Sequence, residues 1–287
     1  MTQTDETKRT PSPNSSSSDA YRRIPFPPER RLVLDTLRLG HNKPMMHGFM
    51  ELDVTRARQL LRAHRLRTGE SISFTAFILA CLGKAVAAHP EVHALRDWFG
   101  RLVMFEDVDA TTIVEVKTDG RPFALAHVVH GINRRTVRDI HEEIRAVQSS
   151  GMSSLPVDFR KQANYFLMVP GVLRRLLYRI VFCRPTVAKK HLGTMLVTAV
   201  GMFGNGAGWG QSAPGFHNFS VVVGGIATRP ATTVGELGPR EILCLTVSAN
   251  HDLVDGAPFA RFAHKLQTII EAAEGLDEAT VPTKEEV

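Results

Sequence analysis

Near the end of the chain, the stretch Ser248–Ala257, "SANHDLVDGA", sets His251 four residues ahead of an Asp255-Gly256 pair. Histidine, with an ordinary pKa of about 6.5, can take or give a proton at neutral pH, which is what a general base must do. Asp-Gly pairs also make ordinary turns, and 12 histidines offer many chance pairings, so the spacing alone is a modest signal. The setting strengthens it. "EILCLTV" upstream reads as a buried strand and "PFARFAHKLQTIIEAAE" downstream as an amphipathic helix, so His251 ends a strand and Gly256 opens a helix.

Other chemistries find less support. "GMFGNGAGWGQ" follows a strand, but no glycine triplet in it fits G-x-G-x-x-G and no Gly-Lys-Ser/Thr follows, so it reads as a long, flexible hairpin loop. The G-x-S-x-G turn of a serine hydrolase is missing. His127 and His130 lie three apart in a strand pattern and would point to opposite faces, which argues against zinc; no metal is expected. Glu142 and Glu143 fall on a helix whose acidic positions read as solvated. Cys81, Cys183 and Cys244 are far apart in apolar runs, the pattern of buried thiols in a reducing, cytoplasmic setting. The net charge of +6 would suit a polyphosphate-bearing small molecule, nucleic acid or anionic lipid. Its basic residues are scattered with little aromatic interleaving, so a solvated surface is favoured and nucleic acid is not expected.

The elements that must position His251 can be read from periodicity. Residues 1–20 are polar and serine-rich, the composition of a disordered arm. A single domain over 21–275 and a polar tail over 276–287 account for the rest. "RLVLDTLRLGHNKP" predicts a helix ending near Gly40, "MMHGFMELDV" a strand, and "TRARQLLRAHRLRTG" a helix stopped by glycine. "SISFTAFILACLGKAVAAHP" has the profile of a buried helix with a Ser or Thr cap. Strands are expected at "RLVMFEDV", "TTIVEVKT" and "FALAHVVH", the last two joined by an Asp119-Gly120 turn, then a helix at "TVRDIHEEIRAVQ". Three more apolar strands, "TMLVTAV", "FSVVVGGIA" and "EILCLTVSA", precede the last helix. The mixed order implies an α+β sheet packed by helices. Within 166–185, Leu173, Leu176, Leu177 and Ile180 share one helical face and Arg174, Arg175 and Arg179 cluster elsewhere. That helix reads as folded onto its own domain, or as facing a membrane surface, an acyl chain or a partner.

"LTVSANHDLVDGAPFARF" resembles the C-terminal signature of the catalytic domain of the dihydrolipoyl acyltransferases of 2-oxoacid dehydrogenase complexes, whose fold chloramphenicol acetyltransferase shares. "SFTAFILACLGKAVAAHPEVHA", "VEVKTDGRPFALAHVVHGINRRTVRDIHEEI" and "GTMLVTAVGMFG" are similar to further segments of that family, in the same order, from about residue 31 to 273. The resemblance implies a chloramphenicol acetyltransferase-like fold and transfer of an acyl group between a coenzyme A thioester and a thiol, hydroxyl or amine. It makes His251 the general base, Thr198 the oxyanion donor and Asp255 a buried partner fixing the loop, with Gly256 allowing a tight turn. It also implies a homotrimer, with His251 of one chain facing Thr198 of its neighbour. Ala199 and Val200 depart from the family's Asn-Leu. Asp252 stands where an arginine is usual and, if close enough, would raise the pKa of His251. No lipoyl domain, lipoylation hairpin or subunit-binding module is present, so a stand-alone enzyme without bound lipoyl group is expected, with a complex core served by lipoyl groups in trans or a silent trimeric scaffold as rivals.

Overall fold

The computed structural model describes residues 22–276 apart from 24, 27–28, 119–120, 151–167, 202–205 and 234–235. The N-terminal arm, the Asp119-Gly120 turn and nearly all of the C-terminal tail lie outside the described residues. Helix α1 (Glu29–Gly40) leads into β1 (Met45–Asp53), α2 (Thr55–Thr68) and α3 (Phe74–Ala88). Gly69 closes α2 in the left-handed conformation, as its glycine suggested, and the Ser73 hydroxyl caps α3 by accepting the Ala76 amide at 3.4 Å. Two short strands, β2 (Leu95–Arg96) and β3 (Leu102–Val103), pair only with each other, so "RLVMFEDV" makes two strand residues rather than a full strand. Then come β4 (Ala110–Thr118), β5 (Arg121–Val129), α4 (Val137–Ser150), α5 (Gly171–Phe182), α6 (Pro185–Leu192), β6 (Met195–Ala199), β7 (Phe219–Thr233), β8 (Glu236–Asn250) and α7 (Gly256–Glu271).

Six strands form one mixed sheet in the order β1-β8-β7-β6-β4-β5. The pairs β1–β8, β8–β7 and β4–β5 are antiparallel, while β6 runs parallel to both β7 and β4. One face of the sheet, carrying Phe219, Val221, Leu245 and Val247, packs with α3, α4 and α7 into the core, where Phe219 meets Phe262 edge-on at 5.2 Å. The fold is thus the α+β mixed sheet packed by helices that the sequence implied.

The other face carries alternate residues, and here two expectations change. Because β6 and β7 are parallel, the glycine-rich segment between them cannot be a hairpin; it crosses back over the sheet. Its described part lies flat: Gln211 reaches His47, Ser212 pairs with Ser220 at 2.7 Å, and the Trp209 indole donates to the Met50 carbonyl. The glycines permit this approach, since a side chain on Gly201 would strike the Gly224 carbonyl and one on Gly224 the Gly208 carbonyl.

Helix α5 is folded onto its own domain, the first of the readings its pattern allowed. Arg174 is buried, and both it and Arg175 are held by the buried Asp35 carboxylate of α1, Arg174 Nε at 2.7 Å and Arg175 Nη1 at 3.3 Å. Two of the three arginines therefore fasten α5 to α1. Leu173, Leu176, Leu177 and Ile180 do share a surface, and it is exposed. No described helix is long and apolar enough to cross a membrane. Glu143 likewise is no solvated acid: it takes hydrogen bonds from His127 at 2.6 Å and from Arg135. Burial raises its pKa, and those two donors outweigh the burial and hold the carboxyl below the usual range.

Candidate active site

Strand β8 ends at Asn250, and the loop beyond it is built around that residue. The Asn250 carbonyl accepts the amides of Leu253 (3.0 Å) and Val254 (3.2 Å), and its side-chain oxygen accepts the Asp252 amide at 3.1 Å. The strand end is tied sideways as well, the Asn250 amide donating to the Asn218 carbonyl and the His251 amide to the Pro44 carbonyl, each at 2.8 Å. Asn250 is buried at 6% exposure while the His251 side chain is half exposed. The backbone of the histidine is fixed and its ring is presented. Asn250 was legible only as the residue before the histidine; its part in shaping the loop was missed.

The carboxylate paired with His251 is Asp255, whose Oδ1 lies 4.0 Å from Nδ1. Asp252 makes no such pair. It lines a cavity that Lys43 and Leu253 also line, and no ion pair between it and His251 forms among the described residues. Asp255 itself is not buried: its side chain is 87% exposed, and it caps α7 through its backbone position without a side-chain hydrogen bond. The reading of Asp255 as a buried partner is therefore corrected for the single chain, because α7 begins at the surface. Gly256 is corrected with it. Its φ is not left-handed and a side chain there would meet nothing within 4 Å, so no tight turn demands glycine within one chain.

Thr198 lies elsewhere on the sheet. It is half-buried on β6, in register with Val222 of β7, which aligns with Thr246 of β8 and so with Phe49 of β1. His251 lies five residues beyond Thr246 and two strands across from Thr198. At about 4.8 Å per strand and 3.3 Å per residue, that places the two about 19 Å apart. No hydrogen bond to the Thr198 hydroxyl is formed among the described residues. The structure thus brings His251 and Asp255 together and keeps Thr198 apart. It also shows a pair that the sequence reading passed over: His47 Nδ1 and the buried Ser248 hydroxyl, 2.8 Å apart, with Gln211 on the other ring nitrogen. Ser248 is fully buried, so this pair fixes strand β1 to β8.

The family model for the 2-oxoacid dehydrogenases acyltransferase (catalytic domain) matches residues 18–155 and 189–276, interrupted only by the stretch that contains α5. No curated protein sequence matches the chain. Among solved structures it is similar to the dihydrolipoamide acetyltransferase of Azotobacter vinelandii, with 16% identity over 93% of this chain and 99% of that one and a TM-score of 0.67. It is similar too to the cubic core of the pyruvate dehydrogenase multienzyme complex (16% identity, 93% and 99% covered, TM-score 0.65). A truncated catalytic core of the 2-oxoacid dehydrogenase multienzyme complex from Thermoplasma acidophilum matches at 19% identity, covering 88% of this chain and all of that one, with a TM-score of 0.65. These likenesses share the fold, while the family match covers both Thr198 and the His251–Gly256 loop. The chain belongs to the family of 2-oxoacid dehydrogenase acyltransferase catalytic domains and is an acyltransferase.

Proposed function

We propose that this acyltransferase moves an acyl group between a coenzyme A thioester and a thiol, hydroxyl or amine acceptor, in sites shared between the chains of a homotrimer. One observation carries the reading: the strand register sets His251 two strands across and five residues beyond the position level with Thr198, about 19 Å at ordinary strand spacings and too far to serve one carbonyl. A neighbouring copy that placed its Thr198 opposite His251 would unite them, as closed cyclic symmetry allows. The exposed Asp255 and the open space at Gly256 are features that a neighbouring surface would explain.

In such a site His251 takes the proton from the acceptor as its lone pair attacks the thioester carbon. The carbonyl oxygen becomes an oxyanion, and the hydroxyl of Thr198 donates a hydrogen bond to it. Collapse of the tetrahedral adduct breaks the carbon–sulfur bond, and the departing thiolate takes the proton back from the imidazolium. Asp255, 4.0 Å from Nδ1, leaves Nε2 for the proton transfer.

The test is a panel of acyl-coenzyme A thioesters from acetyl to long-chain, offered with dihydrolipoamide and simple thiols, hydroxyl compounds and amines. Products are followed by mass beside a His251→Ala control. A second reading, a complex core served by lipoyl groups in trans, is favoured by the family match and predicts dihydrolipoamide as the preferred acceptor. Transfer to no acceptor, with thioester binding also absent, sinks both and leaves a trimeric scaffold. The buried thiols of Cys81 and Cys244 support a reducing, cytoplasmic location. The exposed apolar row of α5 supports contact with a lipid surface, and its arginines do not, since Asp35 holds two of them.

A further inference from the structure

A cavity of about 480 Å³ opens behind the His251 loop, within the size range of small-molecule sites. Asn250 and Asp252 line it and His251 does not, so it lies on the side of the loop away from the imidazole. Its walls come from the end of α1, from β2, and from α5, the helix that interrupts the family match. The insertion does more than border the space. The Tyr178 ring of α5 packs on Phe216 with centroids 5.2 Å apart, and the Phe216 carbonyl accepts a hydrogen bond from Lys43 Nζ at 2.6 Å. Lys43 precedes Pro44, whose carbonyl holds the His251 amide.

The charge of this lining is one-sided. Arg38, Lys43, Arg96 and Arg179 face the cavity, against the single carboxylate of Asp252. None of those four cations forms an ion pair among the described residues. Burial pushes the Lys43 ammonium down to about 8, the mark of a cation removed from water without an anion to offset it. His217, also on the wall, donates Nε2–H to the Leu192 carbonyl, and burial pushes it down to about 4, so it stays neutral and adds no further positive charge. Between the cations lie Leu39, Leu95, Leu192 and Leu253.

We propose that this cavity is a binding site for a small organic anion with an apolar body, its carboxylate or phosphate held by Lys43 and Arg179 and its body by the leucines. The imidazole of His251 does not line the site, and a ligand there would touch the His251 loop through Asn250, Asp252 and Leu253 and through the Lys43–Pro44 backbone.

Calorimetric titration of the full chain tests it, with octanoate, octyl phosphate, octanol and inorganic phosphate as probes. Octanoate or octyl phosphate is expected to bind at least about tenfold more tightly than octanol, the equivalent of one modest charge pair. Which of the two binds better tells a carboxylate site from a phosphate site. Arg179→Ala removes an exposed side chain with no ion pair and leaves the fold intact; it is expected to weaken binding by about tenfold, and Lys43→Met by at least as much. Absence of binding by both octyl anions, equal binding of octanol, or affinities unchanged in Arg179→Ala would overturn the proposal. The titration reads binding and not turnover, so its failure is separable from a failure of acyl transfer.

Discussion

The side-chain oxygen of Asn250 accepts the amide of Asp252 at 3.1 Å, so the two residues that flank His251 are bonded to each other across it. The histidine sits at the apex of a turn closed from within the chain, with a carbonyl of β1's lead-in holding it from outside.

Replacing Asn250 by alanine opens that turn. Loss of a buried, hydrogen-bonded amide is expected to cost about 2 kcal/mol of stability. Acyl transfer is expected to fall mainly in kcat, because the base is misplaced while the rest of the substrate site persists. Chemical denaturation and steady-state kinetics on Asn250→Ala check both. Asn250→Asp, which keeps the acceptor oxygen, should recover much of the loss.

A shared site makes a sharper prediction by mixing. His251→Ala and Thr198→Ala chains, each inactive alone, are unfolded together in equal amounts and refolded. Random assembly of a homotrimer gives about a quarter of its sites an intact His251 opposite an intact Thr198, so about a quarter of wild-type activity should return. Thr198→Ala alone should lose about 100- to 1,000-fold in kcat, and Thr198→Ser much less. If mixing restores nothing while the chains co-assemble, the two residues do not meet across an interface.

The carboxylate of Glu241 on β8 joins α2 to the sheet through Arg62 (2.7 Å) and Arg58 (3.2 Å). The hydrogen bond from Arg62 is the chief cause that holds its pKa below the ordinary value, Arg58 adding to it against a smaller effect of burial. A carboxyl depressed in the folded state stabilises the protein fully above its unfolded pKa, and the contribution disappears as pH falls through the folded one. Glu241→Gln should therefore cost about 1 kcal/mol at pH 7, and thermal unfolding scans of mutant and parent should converge as the pH falls below the ordinary carboxylate range.

The exposed row on α5 is tested by Leu173→Ser, Leu176→Ser and Ile180→Ser combined. These side chains touch solvent, so the fold is expected to hold while sedimentation with anionic vesicles falls several-fold. Sedimentation as strong as the parent's would count against lipid contact through this face.

Much of the architecture was readable because its signals were local. The caps at Ser73 and Gly69, the alternation in β4 and β5, and the 3.6-residue pattern of α4 each reside in a few adjacent residues. The fold of the glycine segment was not, because whether two strands are parallel is decided by what lies beside them in space. The same limit applies to Asp35, a lone acid in a helical pattern whose meaning depends on Arg174 and Arg175 nearly 140 residues later. Of the candidate site, the closeness of His251 and Asp255 was legible from spacing, while Thr198 entered only by resemblance. The part of Asn250 in shaping the loop, and the place of Asp252 on the cavity wall, needed the backbone path.

The contacts of Gly201 and Gly224 are made by backbone against backbone, with no side chain between them. Such a joint holds nothing that substitution can adjust: any added carbon displaces it, and its register rests on missing atoms. Change in this part of the molecule must then enter elsewhere. The stretch carrying α5, where the family match breaks off, lies off that joint and borders the cavity behind the His251 loop without entering the sheet.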